Sequence, residues 1–158
     1  PNVTNTSAWL RRIDALPGKP NITAGERIYH HTKIATCGKC HVTNERGTRV
    51  GPDLTHIGRG MSRERLLESI LQPNKEVSPY LRTWVITMKD GKVHNGIALR
   101  RGGNSEVYRG IDGKEIRLDK RQIKTKIEGN HSMMPPGLAL SLTPDELRDL
   151  MAFLQIKR

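Results

Sequence analysis

The sequence predicts a mainly α fold of three to five helices with an inserted small antiparallel β-sheet or barrel of about five strands. Two patterns lead to this prediction. Near the end of the chain, apolar residues recur at the spacing of one helix face: Leu147, Leu150, Met151 and Leu154. Between about residues 81 and 127, apolar and polar residues alternate instead, and turn dipeptides such as Asp90-Gly91 separate the runs.

Capping residues predict where the helices begin. Residues 1–20 carry a short apolar pattern that Pro17-Gly18 ends, which predicts either a helical arm packed on the domain or a linker. Thr23 and Glu26 predict a capping box that opens a helix running to about Ile34. The starts of two later helices are predicted from N-cap residues: Ser62 and Thr143.

The change of pattern also predicts the domain boundaries. Residues 21–80 and 129–158 are expected to form one helical domain, and residues 81–128 an inserted β subdomain. Five short strands with tight turns predict a small barrel or a curled sheet. The strands are expected at residues 84–88, 93–99, 106–108, 115–118 and 122–127.

The motif Cys37-Gly38-Lys39-Cys40-His41 is the C-x-x-C-H pattern of covalent haem c attachment. The two thiols add to the vinyl groups of one haem, and the histidine supplies an axial nitrogen to the iron. A thioredoxin-like redox pair needs no histidine at this position and usually lies near a βαβ pattern, which the sequence lacks. A zinc site needs a second ligand cluster, which is also missing. The sequence therefore predicts one covalently bound haem c.

The sixth iron ligand is predicted to be Met134. Its thioether would raise the reduction potential and favour electron transfer, and Pro135 stiffens the loop that carries it. Met133 is the neighbouring alternative, and a pair of methionines that fills the core is another. A bis-histidine iron is a further alternative, with His131 or His56 as the second histidine.

Charge and composition predict the setting of the protein. The formal net charge is +11, from 27 Lys and Arg against 16 Asp and Glu, which indicates either a solvated, solubilising surface or one that steers a redox partner acidic at the contact. Aromatic residues make up only 4% of the chain, too few for a base-stacking surface, so no nucleic-acid partner is expected. No apolar run has membrane-spanning length. Because haem attachment is extracytoplasmic in bacteria, we expect a periplasmic or otherwise extracytoplasmic protein whose targeting segment has been removed.

These motifs resemble class I cytochromes c, and more specifically a group of c-type cytochrome domains from planctomycetes and related bacteria that carry a β insertion. The similarity covers about residues 20–158. The matching stretches are the haem motif, Gly51-Pro52-Asp53-Leu54, residues 66–71 with Pro73, Lys89-Asp90-Gly91, and residues 132–135 with Gly137-Leu138.

The resemblance implies a cytochrome c fold, with helices around the haem, and a role for several residues. Cys37 and Cys40 would form the thioethers and His41 the proximal ligand. The carbonyl of Pro52 would contact the other nitrogen of His41, and Arg59 would contact a haem propionate. The positions at which the first and last helices cross would be Gly25 and Tyr29.

The expected function is an electron carrier that is not an enzyme by itself, although such a domain can be a module of a larger dehydrogenase. A His- and Met-ligated iron would cycle between Fe(III) and Fe(II) at a closed site. Two alternatives remain open: a haem enzyme or gas sensor with a labile sixth position, and a basic binding module in which the haem is structural.

Overall fold

The chain folds as two compact units in a computed structural model that describes residues 2–31 and 33–157. The first unit contains the residues up to Lys75 together with those from Pro135 onward. The second unit is Glu76–Met134. Each unit has a hydrophobic core of its own.

The first unit is helical and contains one small hairpin. Its core includes Trp9, Leu67 and Tyr29, with Phe153 among the most buried side chains. Residues 2–20 belong to this unit, because the first helix buries Trp9 and Ile13 in that core. The elements are α1 (Thr6–Asp14), α2 (Ile22–Tyr29), the hairpin strands β1 (Val42–Thr43) and β2 (Arg46–Gly47), α3 (Ile57–Gly60), α4 (Arg63–Leu71) and α5 (Pro144–Leu154).

Side-chain caps start α1, α2, α4 and α5, and they confirm two predictions and correct one. Ser62 caps α4, and Thr143 with Glu146 forms a full capping box on α5, as predicted. The predicted capping box at Thr23 is wrong. Asn21 caps α2 instead, because its side chain accepts the backbone N–H of Ala24 at 3.0 Å.

The helix α2 also ends earlier than predicted, at Tyr29 rather than near Ile34. The physical reason is a competing local turn. The Nδ1 atom of His31 accepts the backbone N–H groups of Lys33 and Ile34 at 3.1 Å and 3.0 Å. A side chain that bonds to nearby backbone donors in this way replaces the helical hydrogen bonds.

The second unit contains a five-stranded antiparallel sheet, and all five predicted strands are present. The strand order is β6-β5-β4-β3-β7, so the last strand pairs with the first. Its core is formed by Ile86, Met88, Tyr108 and Leu118. The strands are β3 (Thr83–Met88), β4 (Val93–Gly102), β5 (Ser105–Arg109), β6 (Glu115–Asp119) and β7 (Ile123–Glu128).

The sheet curls so that strands that are not neighbours in the strand order come together. Glu106 on β5 is buried, yet its Oε1 lies 2.7 Å from Nζ of Lys126 on β7. Two strands lie between them in the strand order, and strands are spaced by about 4.8 Å. A flat sheet would hold β5 and β7 too far apart for this ion pair, so the sheet is rolled towards closure.

The prediction of a mainly α fold with helices around a haem is wrong. The helices are short, with 35% of the residues helical against 23% in strands, and the five-stranded sheet forms a compact unit of its own. The boundaries of that unit also lie outside the predicted 81–128, because the flanking backbone bonds to the sheet. The carbonyl of Thr83 accepts the N–H of Gly129 at 2.8 Å, and its hydroxyl donates to the carbonyl of His131 at 3.3 Å.

Candidate functional site

The two cysteines of the haem motif lie on one tight turn. Cys37–Lys39 is a 3-10 turn, and the N–H groups of Cys40 and His41 donate to the carbonyl of Cys37 at 3.1 Å and 2.9 Å. Cys37 starts the turn and Cys40 directly follows it, and both are free thiols.

The chain enters this turn through two residues in the left-handed region. Ala35 and Thr36 both have φ of 53°, a conformation that is unfavourable for residues with a Cβ atom. Ala35 is held there because it is buried in the helical core and its N–H donates to the hydroxyl of Ser141 at 3.3 Å. The packing of the unit therefore fixes the direction in which the motif begins.

After the motif, the chain doubles back and bonds to it. The β1–β2 hairpin turns through Asn44 and Glu45, which have φ of 49° and 64° as a two-residue type I′ turn requires. The carbonyl of Cys40 then accepts two N–H groups, from Val50 at 3.0 Å and from Gly51 at 2.7 Å. These bonds attach the following loop directly to the second cysteine.

His41 is held by its Nδ1 atom. Nδ1 lies 2.8 Å from the carbonyl oxygen of Pro52, and because a carbonyl only accepts, Nδ1 carries the hydrogen. This is the contact that the resemblance implies for Pro52. Burial lowers the pKa of His41 although the bond to Pro52 opposes that shift, so the site favours the neutral ring. Its Nε2 lone pair is left for a metal, and no partner for it occurs among residues 2–31 and 33–157.

Two glycines lie so close to His41 that no side chain would fit. A Cβ atom on Gly51 would lie 2.5 Å from Cε1 and 2.8 Å from Nδ1 of the imidazole. A Cβ atom on Gly47 would lie 2.1 Å from the carbonyl oxygen of His41, and Gly47 has φ of +118°. Gly51 thus packs against the ring, and Gly47 against the backbone that carries it.

A buried hydroxyl group beside the motif supports the fit of a haem. The Tyr29 side chain is fully buried, and within the described chain its hydroxyl has no hydrogen-bond partner. Burial raises the pKa of Tyr29, and the nearby groups that raise it further are Cys37, Asp53 and Cys40. An unpaired buried donor costs about 1–3 kcal/mol, so a polar group of a bound ligand here would satisfy it. The cysteines, His41 and Tyr29 together fit a covalently bound haem.

The two alternatives for the cysteine pair, a reactive redox pair and a zinc site, have less support. Burial raises the pKa of Cys37 to about 11, and burial also raises the pKa of Cys40. A reactive thiol pair needs a lowered pKa, because the thiolate is the nucleophile. For a zinc site, no group of three or more His, Cys, Asp or Glu side chains converges anywhere in the described residues.

Met133 and Met134 belong to the second unit. Met133 and Met134 are both half-buried, and the backbone N–H of Met134 donates to the hydroxyl of Ser132 at 3.0 Å. His131 and His56 are exposed. The roles of these four residues as iron ligands stay predictions.

Arg59 is exposed on the short helix α3. Across residues 2–31 and 33–157, no carboxylate pairs with its guanidinium. Its role as a propionate contact stays a prediction.

The crossing of α2 and α5 follows the implied pattern. A Cβ atom on Gly25 would lie 2.0 Å from the carbonyl oxygen of Asp149, so the two helices touch backbone to backbone. The Tyr29 and Phe153 rings pack with centroids 5.5 Å apart. Tyr29 thus contacts α5 at the helix crossing and also lies close to the cysteines of the motif.

No protein-family model matches the chain, and a comparison with curated proteins gives no match. In the described residues, no helix is long and apolar enough to cross a membrane.

Sequence reasoning missed the contact of Gly51 with the imidazole ring and the free hydroxyl of Tyr29. The Gly51-Pro52 pair signals a turn, but the approach of that turn to His41 depends on the hydrogen bonds to Cys40. The hairpin after the motif was also missed, because Asn44 favours a type I′ turn and Glu45 does not.

Proposed function

We propose that the chain is a mono-haem c-type cytochrome that carries single electrons between redox partners. The observation that carries the proposal is the way His41 is held. Its imidazole is bonded through Nδ1 to the carbonyl of Pro52 and follows directly after two free thiols, and burial lowers its pKa, which favours the neutral form with Nε2 open. Neutral imidazole with its second nitrogen bonded to a carbonyl is the usual form of a metal-ligating histidine.

The chain would hold the group through three residues. Cys37 and Cys40 would form the two thioether bonds, and His41 would be the proximal ligand. When bound, the haem supplies the Fe(III)/Fe(II) couple. The residues of the chain orient the imidazole: the carbonyl of Pro52 fixes its tautomer, and Gly51 limits its rotation from one side.

Met134 is the proposed second ligand. A thioether at the sixth position raises the reduction potential and excludes small ligands, which suits a carrier rather than an enzyme. In support, the backbone of Met134 is tied to Ser132, and Pro135 follows directly with its fixed φ. Met133 has the same side chain one residue earlier and therefore serves as a matched control.

The setting of the protein is part of the proposal. Since covalent haem attachment in bacteria takes place outside the cytoplasm, the proposed location is the periplasm or another extracytoplasmic compartment. A net charge of +11 favours a redox partner that is acidic at the contact.

The first test asks whether a haem is attached. The full chain is expressed in a host with haem c attachment machinery and run on a denaturing gel. We expect haem absorbance to migrate with the chain, and to be lost in the Cys37→Ser/Cys40→Ser variant. A wild-type chain that releases all its haem on denaturation would overturn the proposal.

The second test identifies the sixth ligand from the visible spectrum and a potential titration. We expect Met134→Ala to lose the weak red absorption band of methionine-ligated Fe(III), to have a lower reduction potential and to bind carbon monoxide. Met133→Ala should change none of these. The reverse pattern would assign Met133, and a wild-type protein that binds carbon monoxide freely would favour a gas sensor or enzyme.

A further inference from the structure

The sheet of the second unit carries a row of arginines on its outer face. Arg100, Arg109 and Arg117 lie on three adjacent strands, β4, β5 and β6. Arg109 directly follows a residue of the sheet's hydrophobic core, and Arg117 directly precedes one. Successive side chains of a strand point to opposite faces, so both arginines lie on the face opposite the core. We call these three residues the arginine row.

The register of the sheet places the row. Arg100 pairs with Val107 on one side, and Val107 pairs with Arg117 on the other, so the two arginines flank one residue across three strands. With a strand spacing of about 4.8 Å, their Cα atoms are separated by about 10 Å. Val107 is only 4% exposed, so a buried side chain anchors the middle of the row.

Glu115 shows which chemical group this face takes. Its Oε1 lies 3.4 Å from Nη2 of Arg109, and its Oε2 lies 3.8 Å from Nη2 of Arg100. The third guanidinium, that of Arg117, contacts the hydroxyl of Ser105 at 3.4 Å. Within the described chain it has no carboxylate partner, so three cations face one carboxylate.

We infer that the arginine row is the docking surface for an acidic protein partner, whose carboxylates pair with Arg117 and with the exposed side of Arg100. This inference names the partner's contact surface and rests on the proposed function for why a partner docks. Arg100 is 67% exposed and Arg117 is also exposed, so both guanidinium groups are accessible to a partner. Paired guanidinium and carboxylate groups on a rigid face give orientation as well as attraction.

The row favours an acidic protein over a nucleic acid. Two of its guanidinium groups already pair with the carboxylate of Glu115, so a protein carboxylate fits this face. The row contains no aromatic side chain on which an exposed base could stack.

The test compares two variants of equal charge. The row variant is Arg100→Gln/Arg109→Gln/Arg117→Gln. The matched control, Lys19→Gln/Lys89→Gln/Lys124→Gln, removes three exposed cations elsewhere. Binding of the full chain to poly-L-glutamate and to a short DNA duplex is measured at about 0.1 M salt, where charges further apart than about 10 Å are screened. Circular dichroism and thermal melting check that both variants fold.

We expect the row variant to bind poly-L-glutamate about tenfold more weakly than wild type, and the control to lose much less. Replacing the three arginines by lysine should retain part of the affinity, because charge remains without the planar fork. Equal losses in the row variant and the control would overturn the inference, because only net charge would matter. A loss of DNA binding without a loss of polyglutamate binding would also overturn it.

The same measurement on protein without haem separates this inference from the proposed function. The row lies on the sheet and needs no haem to form. We therefore expect the ratio of the poly-L-glutamate affinities of the row variant and the control to be the same without haem. Failure of haem attachment would overturn the proposed function and leave the binding result standing.

Discussion

The contact between Gly51 and His41 gives a sharp test of how the chain holds its imidazole. We consider Gly51→Ala. The added Cβ would lie 2.5 Å from Cε1, 2.8 Å from Nδ1 and 3.1 Å from Nε2. Carbon atoms in contact prefer about 3.5–4 Å, so the ring must move by about 1 Å. Such a shift is incompatible with the 2.8 Å bond from Nδ1 to Pro52.

Two terms set the magnitude. Overpacking a tight site costs about 1–3 kcal/mol, and the loss of one hydrogen bond costs about 1 kcal/mol. We therefore expect Gly51→Ala to lower the free energy of unfolding by about 3 kcal/mol. With a urea dependence of about 2 kcal/mol per molar, the unfolding midpoint would fall by about 1.5 M.

The assay is urea unfolding of the full chain, together with nitrogen NMR shifts of His41 that report which ring nitrogen carries the hydrogen. Gly60→Ala is the control, because a Cβ atom there meets nothing within 4 Å. We expect the control to keep the wild-type midpoint. Equal midpoints for the two variants, with His41 still protonated only at Nδ1, would refute the reasoning.

Three further predictions concern stability and are measured by the same unfolding assay. Gly25→Ala places a Cβ atom against the backbone of α5, and we expect a loss of about 3 kcal/mol or complete failure to fold. Glu106→Gln removes a buried charge. Burial raises the pKa of Glu106, but hydrogen bonds from its partners outweigh this and leave it below its usual value. A lowered carboxyl pKa stabilises the fold above about pH 4.5. We therefore expect Glu106→Gln to have a lower free energy of unfolding than wild type above that pH, and the difference to shrink as the pH falls below it. A difference that does not change with pH would contradict this. Glu45 has a left-handed backbone conformation that glycine adopts without strain, so Glu45→Gly should raise the free energy of unfolding by about 1 kcal/mol. Glu64→Gly, within the helix α4, should lower it by about 1 kcal/mol.

The elements that depend on local pattern could be predicted from the sequence. The five strands follow from alternation and turn dipeptides, and α5 follows from its periodic apolar face and the Thr143 capping box. The start of α2 could not be read in this way, because Asn21 and Thr23 both suit an N-cap and only the fold chooses between them. The fold class failed because the helices are short and the sheet forms a compact unit of its own; α2, for example, ends at Tyr29 rather than near Ile34.

Features that depend on tertiary structure could not be predicted. The arginine row is made of residues eight and nine positions apart, and only the register brings them together. The ion pair between Glu106 and Lys126 likewise requires the sheet to curl. The haem motif itself is local and therefore visible in the sequence, whereas the position of Gly51 over the imidazole depends on the loop that returns to Cys40.

The two proposed iron ligands differ in how firmly the chain holds each of them. His41 is fixed by the bond to Pro52 and by the contact with Gly51, and its backbone donates to the carbonyl of Cys37. For Met134, by contrast, the described part of the chain shows one hydrogen bond, from its backbone N–H to the hydroxyl of Ser132. A side chain with fewer restraints is released at lower cost, because less structure has to be disrupted. We therefore expect carbon monoxide to stay excluded from the wild-type iron, and only a strong ligand added in large excess to displace the methionine, with the histidine left bound; loss of the weak red absorption band would report that displacement.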